Sequence, residues 1–260
     1  MNEKKVINHI VRWIESYAIK SKTKGFVIGI SGGIDSAVTS TLVSRTGLPV
    51  LCVEMPIHQK NNQSNRGSNH IKWLKKKFNN VSSIKIELTN VFDSFVENLD
   101  SLKSVENELS LANMRSRLRM TTLYYYSQIN NYLVIGTGNK VEDFGIGFFT
   151  KYGDGGVDIS PIADLMKTEV YQLAKKLEIN SEIIIAAPTD GLWDDDKTDE
   201  DQIGATYPEL EWAMNFKGNK KKLSDREKVV LKIYKTMNKK NKHKVQLIPV
   251  CKIPIMLKVN

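Results

Sequence analysis

Gly25-Phe26-Val27-Ile28-Gly29-Ile30 runs straight into Ser31-Gly32-Gly33-Ile34-Asp35-Ser36-Ala37, and this junction decides how the chain folds. The first half is short, apolar and partly β-branched, the pattern of a strand buried on both faces. The second half places two glycines where the backbone must turn tightly, then continues as a helix through about Arg45. A buried strand feeding a helix in this way opens a parallel crossover unit. Amides at such a helix start, with the Ser31 and Ser36 hydroxyls, make a site for phosphate or pyrophosphate. Asp35 would repel a bare polyphosphate, so it makes better sense as a Mg²⁺ ligand. Without a ligand, the same residues read as a Gly-rich turn with Asp35 or Ser36 as the helix cap. The buried strand in front favours the phosphate site, although neither a Walker Gly-Lys-Ser/Thr ending nor GxGxxG spacing is present.

Outward from this junction, the pattern repeats. Lys4 to Tyr17 carries Val6, Ile7, Ile10, Val11, Ile14 and Tyr17 at helical spacing, giving an N-terminal helix within residues 1–24. Pro49 to Glu54 reads as a second buried strand, and a helix follows around Ser68 to Phe78. Ser83 to Leu88 alternates like a third strand nearer the sheet edge, a helical region covers about Val91 to Ile129, and Tyr132 to Gly136 is a fourth strand. The order implies an α/β fold, a doubly wound and mostly parallel sheet with helices on both faces, in a single domain. Ligands bind beyond the carboxyl ends of such strands, so the loops after Ile30, Glu54 and Gly136 should share one crevice.

The 260 residues hold 38 Lys+Arg against 29 Asp+Glu, a net charge of +9, which raises nucleic acid, an anionic membrane or a polyanionic small substrate as partners. The excess is local. Lys217 to Lys244 has a net +10, within a basic C-terminal segment (217–260), and Asp190 to Asp201 is an acidic loop of net −6. No apolar run approaches the roughly 20 residues that span a bilayer, and the N-terminus has no apolar signal core. With only Cys52 and Cys251, a disulfide framework or a four-thiolate metal site is excluded, and the chain reads as cytoplasmic.

The loop resembles the pyrophosphate loop of the N-type ATP pyrophosphatases, whose fold is adenine nucleotide alpha-hydrolase-like. Those enzymes cleave ATP between its α and β phosphates, transfer AMP to a substrate oxygen and displace it with a nitrogen or sulfur nucleophile. Downstream, Gly136-Thr137-Gly138-Asn139-Lys140-Val141-Glu142 and Gly147-Phe148-Phe149-Thr150-Lys151-Tyr152-Gly153-Asp154-Gly155-Gly156-Val157-Asp158 resemble the NAD synthetase signature. So do Ser160 to Val170, Asn113 to Met120, and Lys242-His243-Lys244 followed by Pro249.

That resemblance implies ATP-dependent amidation of deamido-NAD to NAD through an adenylated carboxylate, with AMP and pyrophosphate released. It implies ATP contacts at Gly29, Ile30, Ser31, Gly32, Gly33, Ile34, Asp35, Ser36, Thr137, Lys167 and Thr189, with Asp35 and Lys167 catalytic. Asp35 and Glu142 would hold Mg²⁺, Asp143 being the alternative to Glu142. Deamido-NAD would meet Arg117, Lys151, Asp158, His243 and Lys244, with Arg115 and Arg119 as alternatives to Arg117. The family further implies a homodimer, with the helix bearing Thr121 to Tyr126 as interface candidate, and a mobile lid at the acidic loop. Glutamine-dependent members carry an additional amidase domain with a nucleophilic cysteine. The length leaves no room for one and Cys52 falls in a buried strand, so free ammonia is the expected nitrogen source. Rival readings are a tRNA-modifying ligase gripping RNA with its basic tail, and a nonenzymatic nucleotide- or RNA-binding module. On balance the charge argues for small polyanions, with neither nucleic acid nor membrane as partner.

Overall fold

The computed structural model describes residues 1–59, 61–99, 105–189 and 198–258. Helix α1 (Glu3–Ser21) leads into β1 (Gly25–Gly29), α2 (Ile34–Ser44), β2 (Val50–Glu54), α3 (Asn61–Lys77) and β3 (Val81–Lys85). Then follow α4 (Thr89–Glu97), α5 (Val105–Asn130), β4 (Tyr132–Val134) and a π-helical turn (Val141–Ile146). The chain continues through α6 (Lys167–Lys176), α7 (Ser181–Ile184), α8 (Asp199–Ile203), α9 (Tyr207–Asn215) and α10 (Asp225–Val245).

All four strands pair in parallel, in the order β3-β2-β1-β4. A parallel bridge between Ile135 and Ile159 adds the start of a fifth position beyond β4. The chain winds from β1 outward to β3 and then returns to the other side of β1, so the topological switch lies between β1 and β4. In open α/β sheets the ligand crevice forms at that point.

Alternation along the strands divides the core. Phe26, Ile28, Val50 and Cys52 face a layer built by α1, α2, α3 and α6. Val27, Leu51, Val53 and Val134 face the other way, toward Phe92 of α4 and the partly buried apolar residues of α5. A third cluster packs the π-helical turn against α9 and α10, with Ile146, Tyr207, Leu210 and Val230 at its centre.

Three sequence expectations shift. The third strand is Val81–Lys85, two residues earlier than the alternation of 83–88 suggests. Val81 pairs with Val50 and is buried, whereas Glu87 turns to accept the backbone N–H and hydroxyl of Thr89 at the head of α4. The long helical region divides into α4 and α5, and α3 begins seven residues ahead of Ser68. Of the acidic loop, residues 190–197 lie outside the described residues, while Thr198 caps α8 by accepting the Asp201 N–H at 3.1 Å. Among the described residues no helix is long and apolar enough to cross a membrane.

One buried polar pair reports on the α2–α3 seam. His70 is fully buried, with Nε2 2.9 Å from Ser40 Oγ and its ring stacked on Trp73. Burial disfavours the imidazolium and lowers its pKa to about 4. The unfolded chain therefore takes up the proton first as pH falls. The stability from the neutral ring is fully present above about pH 6.5 and is lost toward pH 4, in total about 3 kcal/mol. Urea midpoints measured between pH 7 and 4.5 should fall with a steeper slope for the wild type than for His70→Gln.

Candidate active site

The loop after β1 is closed by its own serines. Ser31 Oγ accepts the Gly33 N–H at 3.1 Å and lies 3.0 Å from Ser36 Oγ, which donates to the Gly33 carbonyl at 2.9 Å. Gly32 has φ of 81°, a left-handed conformation that side chains resist, and Gly33 then enters α2 extended with no side-chain cap. The first amides of α2 are thus left for a ligand at the positive end of the helix. All eight positions from Gly29 to Ser36 line one crevice. The loops after β2 and β4 join it, through Met55 and Gln59 on one side and Gly136 to Gly138 on the other.

At its floor, three segments distant in sequence meet. Lys167, the first residue of α6, is 2% exposed and puts Nζ 2.6 Å from Asp35 Oδ2 and 2.8 Å from Glu142 Oε1. The head of α6 is held by two acids: its own Glu169 accepts the Met166 N–H, and Glu211 of α9 accepts both the N–H and the hydroxyl of Thr168. Fully buried Asn139 ties the group together. Its Nδ2 donates to Asp35 Oδ1 at 3.0 Å, while its Oδ1 accepts the Val141 and Glu142 amides that begin the π-helical turn. Tyr207 donates its hydroxyl to the same Glu142 oxygen at 2.5 Å.

The charges do not balance within this cluster. Burial would strip the proton from Lys167, but Asp35 and Glu142 outweigh that and hold its pKa well above the ordinary lysine value. Burial raises Asp35 despite the pull of Lys167. For Glu142 burial works in the same direction, yet the Lys167 ammonium and the Tyr207 hydroxyl prevail and lower its pKa. Asp143 is pushed up to about 8 by burial and by Glu142, Asp154 and Asp35 around it. Its carboxylate occupies the space a Cβ on Gly138 would fill, so any larger residue at 138 would displace that side chain. Asp154, raised chiefly by burial, is held by the Ser116 hydroxyl and the Thr150 N–H.

Such a surplus of buried acid suits a cation. Among the described residues no three His, Cys, Asp or Glu side chains converge to enclose a metal. Two carboxylates beside a phosphate loop do match Mg²⁺, which usually keeps one or two carboxylates and takes the rest of its shell from phosphate and water.

Thr137, Glu142, Lys167 and Thr189 line the crevice with the loop residues. The five residues expected at deamido-NAD do not. Arg117 Nη2 donates to the Lys151 carbonyl at 3.4 Å, Lys151 Nζ to the His243 carbonyl at 3.0 Å, and Lys244 Nζ to the Gly147 and Phe149 carbonyls at 2.8 and 2.6 Å. They form a separate basic group where α10 meets the loop 147–153. Asp158 is used by the fold: Oδ2 accepts the Val134 N–H and Oδ1 the Tyr124 hydroxyl. Of the three α5 arginines it is Arg119 that lines the crevice, its Nε donating to the Met55 carbonyl at 3.0 Å. Arg115 instead stacks on Phe92. Arg66 of α3 also lines the crevice, near Gly32. The sequence reading missed Asn139, Tyr207 and Arg66; Asn139 alone carried a signal, as an Asn just ahead of a helical turn.

Removing the ammonium leaves two buried carboxylates facing each other. Lys167→Met should therefore lower stability by about 3–5 kcal/mol. Adding Asp35→Asn should recover part of that loss, which thermal midpoints of the single and double variants would measure.

The NAD synthase family model matches residues 6–248. The NH(3)-dependent NAD(+) synthetase of Carboxydothermus hydrogenoformans is 36% identical over 245 residues, covering 92% of this chain and 93% of that protein. Among solved structures, the NMN synthetase of Francisella tularensis superposes with a TM-score of 0.87 at 31% identity, over 97% of this chain and all of the other. The NH3-dependent NAD synthetase of Campylobacter jejuni, in complex with nitrate, gives 0.79 at 27% identity, again over 97% of this chain and all of the other. A family model spanning nearly the whole chain, and a relative matched over more than nine-tenths of both chains, lead to one conclusion: this protein belongs to the NAD synthase family.

Proposed function

We propose that the chain is a ligase that makes NAD by amidating deamido-NAD with ammonia, at the expense of ATP cleaved to AMP and pyrophosphate. The observation that carries this reading is the buried Lys167–Asp35–Glu142 cluster beside the phosphate loop, in a chain of this family. Ammonia cannot displace an oxygen from a carboxylate at neutral pH, because oxide would have to leave. Adenylation turns the leaving group into AMP. The chain's task is to hold ATP and the nicotinate carboxylate in line and to neutralise the departing pyrophosphate.

In this reading the amides from Ser31 to Ser36 receive the departing phosphates, and Lys167 supplies positive charge to them. Asp35 and Glu142 hold Mg²⁺, which when bound draws charge from the phosphate oxygens. Thr137 and Thr189, on the crevice wall, contact ATP. Arg117, Lys151, Asp158, His243 and Lys244, outside the crevice lining, take deamido-NAD, and the long α5, with Tyr125 and Ile129 about 60% exposed, is the contact face of a homodimer. A tRNA-modifying ligase is not favoured, because the family match to residue 248 includes the basic α10.

A second reading has its own support, since the F. tularensis NMN synthetase is nearer in identity and TM-score than the C. jejuni NAD synthetase. The same chemistry on nicotinic acid mononucleotide would yield NMN. The two readings separate in one assay, with deamido-NAD and nicotinic acid mononucleotide offered in turn with ATP, Mg²⁺ and ammonium. NAD, AMP and pyrophosphate should appear in equal amounts from deamido-NAD, and kcat/KM for the mononucleotide should be lower. The opposite ranking would establish the second reading, and product from neither would defeat both. Glutamine in place of ammonium should support little turnover, and Asp35→Asn should reduce kcat at least ~100-fold.

A further inference from the structure

We infer that Tyr207 is a positioning residue for Glu142, keeping that carboxylate in place for the divalent cation; this rests on the reading of Asp35 and Glu142 as the cation's carboxylates. Tyr207 opens α9, where Thr206 and Glu209 cap each other's amides and Pro208 needs no partner for its nitrogen. Its own N–H donates to Glu200 Oε1 at 2.8 Å. The side chain is 3% exposed, packed in the third core cluster, and only its hydroxyl reaches the site. That hydroxyl lies 2.5 Å from Glu142 Oε1 and 3.3 Å from Asp199 Oδ2. A phenol has one proton to donate, and the shorter contact assigns it to Glu142.

Two donors thus converge on one oxygen, and they differ in kind. Lys167 is a charge on a long flexible stem, with a second partner in Asp35 and a further attraction in any phosphate bound by the loop. Tyr207 is a rigid neutral donor on a packed ring. When Lys167 turns toward a phosphate, the Tyr207 hydroxyl still holds Oε1. Its ring lies 4.7 Å beneath the ammonium, so it also favours the charged lysine close to Glu142.

Asp199, 6% exposed, has Oδ2 3.3 Å from the same hydroxyl, and its N–H donates to the Pro188 carbonyl at 3.0 Å.

Donors that orient metal-binding carboxylates typically contribute 10- to 100-fold in metal affinity. Tyr207→Phe removes the hydroxyl and keeps the ring. Mn²⁺ binding to the whole protein in the presence of the α,β-methylene analogue of ATP can be read from the EPR signal of the free ion. The dissociation constant for Mn²⁺ should rise about 10-fold in Tyr207→Phe. The Mg²⁺ concentration for half-maximal activity should rise in parallel, with KM for the nicotinate substrate and the thermal midpoint little changed. Unaltered Mn²⁺ affinity in Tyr207→Phe, with Glu142→Gln losing it, would overturn the role of Tyr207 and leave the cation reading standing. Unaltered Mn²⁺ affinity in Glu142→Gln would overturn both.

Discussion

A single buried ammonium holds the functional end of this fold together. Lys167, Asp35 and Glu142 come from α6, α2 and the π-helical turn, and none of the three could be buried as a charge without the others. Their meeting fixes how α6 lies against the sheet, and it accounts for the otherwise costly placement of Asn139 and Tyr207. Glu169 and Glu211 at the head of α6 extend the same arrangement outward, since they hold the helix that carries the lysine. The cluster is rigid but not neutral. Arg66 and Arg119 line the same crevice, Arg66 near Gly32 and Arg119 at the Met55 carbonyl, so it carries basic as well as acidic side chains.

The basic C-terminal helix has a more specific use than its composition suggests. Asn238, Asn241 and Lys244 stand three residues apart on α10 and donate in turn to the carbonyls of Gly145, Ile146 and Gly147. The helix thus acts as a splint along the segment that leaves the π-helical turn, whose backbone has no ladder of its own to join. Lys244 reaches those carbonyls, and burial lowers its pKa. Many of the remaining lysines are simply solvated, which explains why a net charge of +9 need not imply nucleic acid.

Much of this was legible in the chain. A buried, partly β-branched run before a Gly-rich turn reads as a strand passing through a tight loop into a helix, and the parallel order follows from its repetition. Glu142 and Lys167 were reached through signature motifs. The third strand was misread because Glu87 and Leu88 continue the alternation although the backbone has already turned toward α4. Tyr207 was illegible for a different reason: a tyrosine at a helix start looks the same whether its hydroxyl meets water or a carboxylate across 65 residues of sequence. Asp158 was reached through the family signature, and the structure adds what the motif did not show, that its oxygens accept from the Val134 N–H and the Tyr124 hydroxyl.

The contacts at the crevice floor have a consequence for how the molecule comes into being. Asp35 and Lys167 are 132 residues apart, and Asp35 and Asn139 are 104 apart. Such long loops close late, because their entropy is recovered only after the intervening units have packed. The phosphate loop can form early as a local turn, but its charged partners arrive only when β4 has docked beside β1 and α6 has followed. A growing chain emerging from the ribosome would hold the Gly-rich turn long before the floor of the crevice could close beneath it, so the complete site would appear only at the end of folding.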